Sequence, residues 1–203
     1  IDRSVLFWAY LAIPAQYAWI HLEWYGMFII FIPVYMFWLV AGRMVLMEET
    51  AGFLRSAGTL HWGMMTTVFS ISHLAYLLVL RPEESGGLNL PPGPALVLFL
   101  VFLVQFNDVA QFLWGKSLGR HKVIPRVSPG KTWEGLLGGV VTTTALAYFL
   151  APSLTPLTTK GSLAAGVMLS RGGFLGDLII SALKRDLGVK DSGDLIPGHG
   201  GIL

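Results

Sequence analysis

Three ionisable residues stand inside otherwise apolar stretches: Asp108, Arg171 and Asp177. A charge at mid-bilayer costs about 2.5–3.5 kcal/mol even on lenient scales, so such groups face a protein interior or a wet cavity and mark functional sites by default. The structural alternative is an ion pair of Arg171 with Asp108 or Asp177. Gly172, Gly173 and Gly176 leave bare backbone beside Asp177. Glycine inside a helix costs roughly 1 kcal/mol relative to alanine. It is used where helices approach closely or backbone meets a ligand. For Gly166 the expected reason is helix packing alone. Asp177 and Ser181 are four residues apart, so they share a helix face that runs on to Lys184 and Arg185. A carboxylate, a hydroxyl and two cations on one stripe suit a metal-bound phosphate.

Two further segments fit anion chemistry. Arg126-Val127-Ser128-Pro129-Gly130-Lys131-Thr132-Trp133-Glu134-Gly135 runs straight into an apolar stretch. Ser128 is expected to cap the helix that follows, with Pro129 in its first turn. A helix N-terminus with free amides, a hydroxyl and a lysine binds anions readily. The alternative is a capped membrane helix with ordinary basic residues near anionic lipid. Gly130-Lys131-Thr132 is not a Walker loop, because Pro125 stands where the upstream glycine belongs and no strand is expected before it. The second segment, Lys190 to Gly201, is charged and rich in glycine, which lets backbone amides close around phosphate. His199 lies among three glycines there, so its neighbours cannot pack it into a core.

The elements that must hold these residues are membrane helices. The chain has 203 residues, 54% hydrophobic and 13% charged, with a mean hydropathy of +0.63. A soluble domain carries roughly 25% charged residues. This composition excludes disorder, a basic nucleic-acid-binding domain and most soluble folds. With no cysteine there is no disulfide framework, thiolate metal site or cysteine nucleophile. A membrane helix needs about 20 mostly apolar residues. Six spans are expected: Val5–Ile20, Gly26–Ala41, Leu60–Leu80, Ala95–Trp114, Gly135–Ala151 and Ser162–Leu183. The first two contain Pro14 and Pro33, which membrane helices tolerate when neighbours satisfy the freed carbonyl. No run alternates as barrel strands would. The expected fold class is therefore all-α, a polytopic integral membrane protein.

Six spans put eleven of the 14 cations on one side, namely Arg3, Arg43, Arg55, Lys116, Arg120, Lys122, Arg126, Lys131, Lys184, Arg185 and Lys190. Only Arg81 and Lys160 fall on the other. The basic side is expected to be cytoplasmic. A miscounted helix among the first two would flip the N-terminus but leave both basic loops together. The chain opens on Ile1 and ends at Leu203 without a polar tail or a signal-peptide pattern, so it reads as a fragment of a longer protein.

Together these residues resemble a known family. Ser181-Ala182-Leu183-Lys184-Arg185, then Lys190-Asp191, then Pro197-Gly198-His199-Gly200-Gly201 is similar in type and spacing to the signature of phosphatidate cytidylyltransferases (CDP-diacylglycerol synthases). The stretch from Asn107-Asp108 through Gly115-Lys116 and Gly119-Arg120 to Arg126–Gly135 resembles another marked region of that family, as does Gly176-Asp177-Leu178. The resemblance covers about Phe106 to Leu203. Two departures stand out. The family motif continues with an Asp-Arg pair and a further aspartate, which would lie beyond Leu203. Many members also have an acidic residue where this chain has Ile180, which leaves substrate preference open.

The resemblance implies a single membrane-embedded domain over 1–203, with N-terminal helices 1–94 and a motif-bearing half 95–203. It implies joining of CTP to phosphatidic acid, giving CDP-diacylglycerol and pyrophosphate in phospholipid biosynthesis. Asp177, Lys184, Arg185, Lys190, Asp191 and His199 would be catalytic, and Asn107, Asp108, Arg126, Ser128, Lys131 and Ser181 would bind substrate. Asp177 and Asp108 would hold Mg²⁺, alone or with a second cation. The partners implied are CTP, phosphatidic acid and the bilayer, without nucleic acid, and the assembly a homodimer. The location is the inner membrane of a bacterium, with the site facing the cytoplasm. The other readings are the same chemistry on another lipid phosphate, such as an archaeal ether lipid, and a transporter or non-enzymatic membrane component.

Overall fold

The computed structural model describes residues 3–48, 50–82 and 90–188. It divides into two compact units, the first ending at Arg81 and the second starting at Pro82. The first holds helices α1 (Arg3–His21), α2 (Tyr25–Leu46) and α3 (Phe53–Val79). The second holds α4 (Pro92–Leu118), a hairpin of β1 (Lys122–Ile124) and β2 (Ser128–Thr132), then α5 (Trp133–Leu154) and α6 (Thr159–Asp186). The protein is thus an all-α membrane fold with one small hairpin. Helices α2 to α6 are each long and apolar enough to cross a membrane; α1, at 19 residues, is not among these five. The six helices coincide with the six expected spans, with somewhat later or earlier ends.

In the first unit, Ile32, Met36, Val40 and Met44 of α2 pack against Val5 and Ala12 of α1 and Ala57 and Met64 of α3. Both α2 and α3 widen into π-helical turns, at Phe31–Met36 and Met64–Phe69. Pro33 accounts for the first, since it lacks an N–H and its ring crowds the carbonyl four residues back. At the second, hydroxyls take up carbonyls of the disturbed ladder. Thr66 Oγ1 donates to the Trp62 carbonyl at 2.9 Å and Thr67 Oγ1 to Gly63 at 2.7 Å. Ser70 Oγ donates to Met65 at 2.8 Å. In lipid such freed groups need a partner within the protein. Fully buried Gln16 joins the three helices, its Nε2 donating to the Phe28 carbonyl at 3.1 Å and to Ser72 Oγ at 3.2 Å.

The second unit packs by close approach. A Cβ on Gly166 of α6 would sit 2.6 Å from the Thr144 Cα of α5, and one on Gly139 of α5 would sit 2.4 Å from Gln111 Cγ of α4. Small residues at such points let membrane helices touch backbone to backbone, which bears out the packing role expected for Gly166. One end of α4 is apolar, with Ala95, Phe99 and Leu103 against Ala147, Ala151 and Leu154 of α5. Further along α4 the interior turns polar. Asn107 is fully buried, and its Oδ1 accepts from Ser170 Oγ of α6 at 2.5 Å and from Thr143 Oγ1 of α5 at 3.2 Å. That single carboxamide fixes three helices in one rotational register.

The start of α5 differs from expectation. Its cap is Thr132, whose side chain accepts from Gly135 N at 3.1 Å, not Ser128. Ser128 and Pro129 instead lie in β2, which pairs antiparallel with β1, Lys122 opposite Thr132 and Ile124 opposite Ser128. The chain reverses through Pro125-Arg126-Val127, with Val127 N donating to the Ile124 carbonyl at 3.2 Å. Proline is tolerated in such a two-stranded edge. Trp133 N donates to His121 O at 2.9 Å, which carries the pairing to the first helical residue.

Candidate active site

The hairpin lies where α4, α5 and α6 present their polar residues. Lys131, at the end of β2, pairs with Asp177 of α6 through Nζ and Oδ2. The ammonium also lies 5.7 Å from the centre of the Phe174 ring, one helical turn before Asp177. The pair is only partly shielded, with 24% of the lysine side chain and 48% of the aspartate side chain exposed. Asp108 of α4 is close enough to feel the charge of both. The intramembrane carboxylate at 177 therefore has Lys131 as its partner, and the alternative pairing with Arg171 is corrected. Arg171 is exposed and makes no ion pair among the described residues.

Two recesses flank β2. The larger, about 340 Å³, is lined by Lys116, Lys122, Lys131, Ser128, Thr132 and Gly135 among others. Three lysines around one hollow, beside the N-terminus of a 22-residue helix, make it strongly attractive to anions. The smaller, about 70 Å³, is lined by Val127, Ser128, Pro129, Ser181, Lys184 and Arg185. Ser128 belongs to both. The expected stripe of Ser181, Lys184 and Arg185 thus does come together with the 126–135 segment, and the two basic regions share one end of the second unit.

Other expected site residues are placed differently. Asn107 is sealed in the helix interface, where it positions α4 rather than facing a recess. Arg126 is exposed at the hairpin turn and lines neither recess. Lys190, Asp191 and His199 lie outside the described residues. Lys122 and Thr132 were not singled out from the sequence as site residues. They reach the larger recess only because the hairpin register sets them opposite each other. Lys116 belongs to the Gly115-Lys116 pair of the family resemblance but was given no site role; it lines the larger recess. Gln111, one turn on from Asn107, also lines the larger recess, with Nε2 3.5 Å from the Ser170 carbonyl.

Glu134 and His121 brace the hairpin. The ring Nδ1 of His121 lies 2.7 Å from Glu134 Oε1, and its backbone N donates to the same carboxylate at 3.2 and 3.3 Å. The clamp fixes the loop before β1 to the first turn of α5.

Among the described residues there is no group of three or more His, Cys, Asp or Glu side chains placed to hold a metal. Two carboxylates do lie near one another: Asp177 pairs with Lys131, and Asp108 is near enough to feel the charge of both. Mg²⁺ is usually held by one or two carboxylates, with substrate phosphates and waters completing its shell. The donor set therefore fits Mg²⁺ bound together with a phosphate ligand.

Five apolar helices of spanning length define a membrane protein, and its second unit carries two adjoining recesses lined by cations. Residues 3–203 match the cytidylyltransferase family, and the chain belongs to it. It is 48% identical over 196 residues to YnbB of Escherichia coli K12, a protein of uncharacterised function, covering 97% of this chain and 64% of that one. It is 41% identical over 116 residues to the phosphatidate cytidylyltransferase of Haemophilus influenzae Rd, covering 55% of this chain and 40% of that one. It is 40% identical over 147 residues to the phosphatidate cytidylyltransferase of Staphylococcus aureus COL, covering 68% and 53% respectively. The chain thus spans less than two thirds of each of these relatives.

Proposed function

We propose that the protein acts within a CTP-dependent cytidylyltransferase that converts phosphatidic acid to CDP-diacylglycerol. A lipid phosphate oxygen attacks the α-phosphorus of CTP, a new P–O–P link forms, and the bond to the β-phosphate breaks to release pyrophosphate. Both reactants are anions, and catalysis of such transfers is mainly positioning and electrostatic stabilisation. The observation that carries the reading is the pair of cationic recesses meeting at Ser128.

The larger recess suits the triphosphate, because Lys116, Lys122 and Lys131 can spread their charge over three phosphates. The smaller suits a single phosphate, with Lys184 and Arg185 as charges and Ser181 as a hydroxyl donor. It lies at the last turn of a membrane-spanning helix whose neighbouring Ile180 and Leu187 are exposed and apolar, the setting in which a lipid headgroup is met. Ser128, which lines both recesses, would donate a hydrogen bond to a phosphate oxygen of either reactant. Asp177 and Asp108 would hold Mg²⁺, which when bound neutralises charge on the phosphates. Lys190, Asp191 and His199 are further phosphate contacts by family resemblance. No general base is required, since the attacking lipid phosphate is already ionised. Concentration of basic residues at this end favours a cytoplasmic orientation in a bacterial inner membrane, where a soluble nucleotide meets inner-leaflet lipid.

The test is reconstitution of the full-length protein in vesicles containing phosphatidic acid, with labelled CTP and Mg²⁺. Label should pass into a CDP-lipid, and pyrophosphate should appear in equal amount. An archaeal ether-lipid phosphate supplied in parallel vesicles separates the two lipid classes. Flux of solutes without CTP, and no labelled lipid with either substrate, would instead establish a transporter.

A further inference from the structure

We infer that Lys131 is an exchangeable counterion: it neutralises Asp177 before substrate binds and moves to phosphate when nucleotide arrives, so that metal and nucleotide bind together. This rests on the proposed function above. The lysine takes part in three environments at once. Its amine is paired with the Asp177 carboxylate, it lies against the Phe174 ring, and its side chain lines the larger anion recess. Asp108, the second carboxylate, feels both partners of the pair. An Asp177 already engaged by an ammonium is a poor ligand for a divalent cation, since the metal would have to displace the lysine or share the carboxylate with it. A phosphate in the recess offers the lysine a second anion within reach of its flexible stem. Transfer of Lys131 to phosphate would then free Asp177 for the metal that the same phosphate brings. Coupling of this kind is reciprocal, so nucleotide raises metal affinity by the factor by which metal raises nucleotide affinity.

Because the pair is partly exposed, the effect is modest. Removing Lys131 should tighten nucleotide-free metal binding about two- to fivefold. The experiment is a titration of the full-length protein with Mn²⁺ in detergent without nucleotide, followed by electron paramagnetic resonance. Lys131→Ala should bind Mn²⁺ more tightly than the wild type, and Lys131→Arg should resemble the wild type. Lys116→Gln removes a charge from the same recess without touching Asp177, and should change Mn²⁺ binding less than Lys131→Ala does. The double variant Lys131→Ala with Asp177→Asn should lose the gain. Lys131→Gln serves if the alanine variant folds poorly. A Lys131→Ala affinity equal to or weaker than that of the wild type overturns the inference, and so does a gain that survives Asp177→Asn. Retention of labelled CTP by the wild type in the presence of Mg²⁺ is measured alongside. Absence of retention would count against the proposed function, whereas retention with unchanged Mn²⁺ binding in Lys131→Ala would count against the counterion exchange alone.

Discussion

The two units bury polarity in opposite ways. The first surrounds one buried glutamine with aromatic and aliphatic side chains, and two of its helices widen into π-turns, in the second of which threonine and serine hydroxyls take up backbone carbonyls. Phe28 alone meets Phe69, His73 and Tyr76, with ring centres 6.2, 4.8 and 4.7 Å away. The second has few such rings in its core. Its helices approach until glycine is the only residue that fits, and a carboxamide and two hydroxyls fix their register. Side-chain packing tolerates small adjustments, whereas backbone contact at a glycine does not. The rigid arrangement is the one that carries Asp108, Asp177 and the lysines. Sites that must hold charges in fixed geometry work best on elements that cannot shift, and the contrast between the units follows that rule.

The largest effect expected from this contrast is chemical. Asp177→Asn keeps the shape of the side chain but removes the charge shared by Lys131 and the proposed metal. CDP-lipid formation by the full-length variant should fall at least about a hundredfold, in line with the loss of a principal electrostatic group. Normal turnover by a well-folded variant would remove the metal role from this residue. Next in size are losses of stability in the second unit. Gly166→Leu must push α5 and α6 apart, because even a Cβ meets the Thr144 backbone. Overpacking of this kind costs about 1–3 kcal/mol. Asn107→Leu strips the acceptor from two buried hydroxyls and should cost a similar ~1–3 kcal/mol. Both are read as a lowered thermal midpoint in detergent. A midpoint unchanged in either would mean that the second unit is not held by close contact.

Lys131→Ala comes third. Loss of one charge-assisted contact to phosphate should raise the CTP concentration for half-maximal rate about tenfold. The phosphatidic acid requirement should change less, because the lysine lines the larger recess and not the smaller. Lys184→Gln should show the reverse pattern. Equal shifts for both substrates in both variants would merge the two recesses into one functional pocket.

How much of this was legible beforehand differs between the units for physical reasons. Hydropathy determines where a helix must lie, so all six helices were legible from apolar runs alone. It does not determine how helices pack, so the π-turns were not, even though Pro33 marks one of them. In the second unit the chemistry itself imposed a readable pattern. Charges are expensive in a membrane, and Asp108, Asp177 and the basic runs stood out for that reason. Three details were missed. The hairpin is too short to show any periodicity, and with it went the Thr132 cap and the placement of Lys122 at the larger recess. The partner of Asp177 was sought on its own helix and not across the hairpin. Asn107 was expected to bind substrate on the strength of the family resemblance alone; adjacent residues on a helix point about 100° apart, and beside Asp108 this one points into the packing.

The smallest effect bears most directly on the contrast itself. Gln16 occupies the same kind of position in the first unit as Asn107 does in the second, a buried carboxamide touching three helices. The consequences of replacing it should nevertheless be slight. In Gln16→Leu, Ser72 keeps its own donation to the Phe69 carbonyl at 2.7 Å, and the only acceptor lost, Gln16 Oε1, has no hydrogen-bond partner. Leucine has nearly the same reach and suits the surrounding Phe28 and aliphatic groups. Hydrogen bonds between membrane helices average ~0.6 kcal/mol, and removal of an unpaired buried acceptor offsets part of that. The thermal midpoint should therefore move by less than in Asn107→Leu, and CDP-lipid formation per folded molecule should stay at the wild-type level. The two leucine variants measured side by side make a sharp comparison, because the substitution is nearly identical and only the wiring differs. A larger loss for Gln16→Leu would reverse the assignment of rigidity and make the aromatic unit the one that demands a unique geometry.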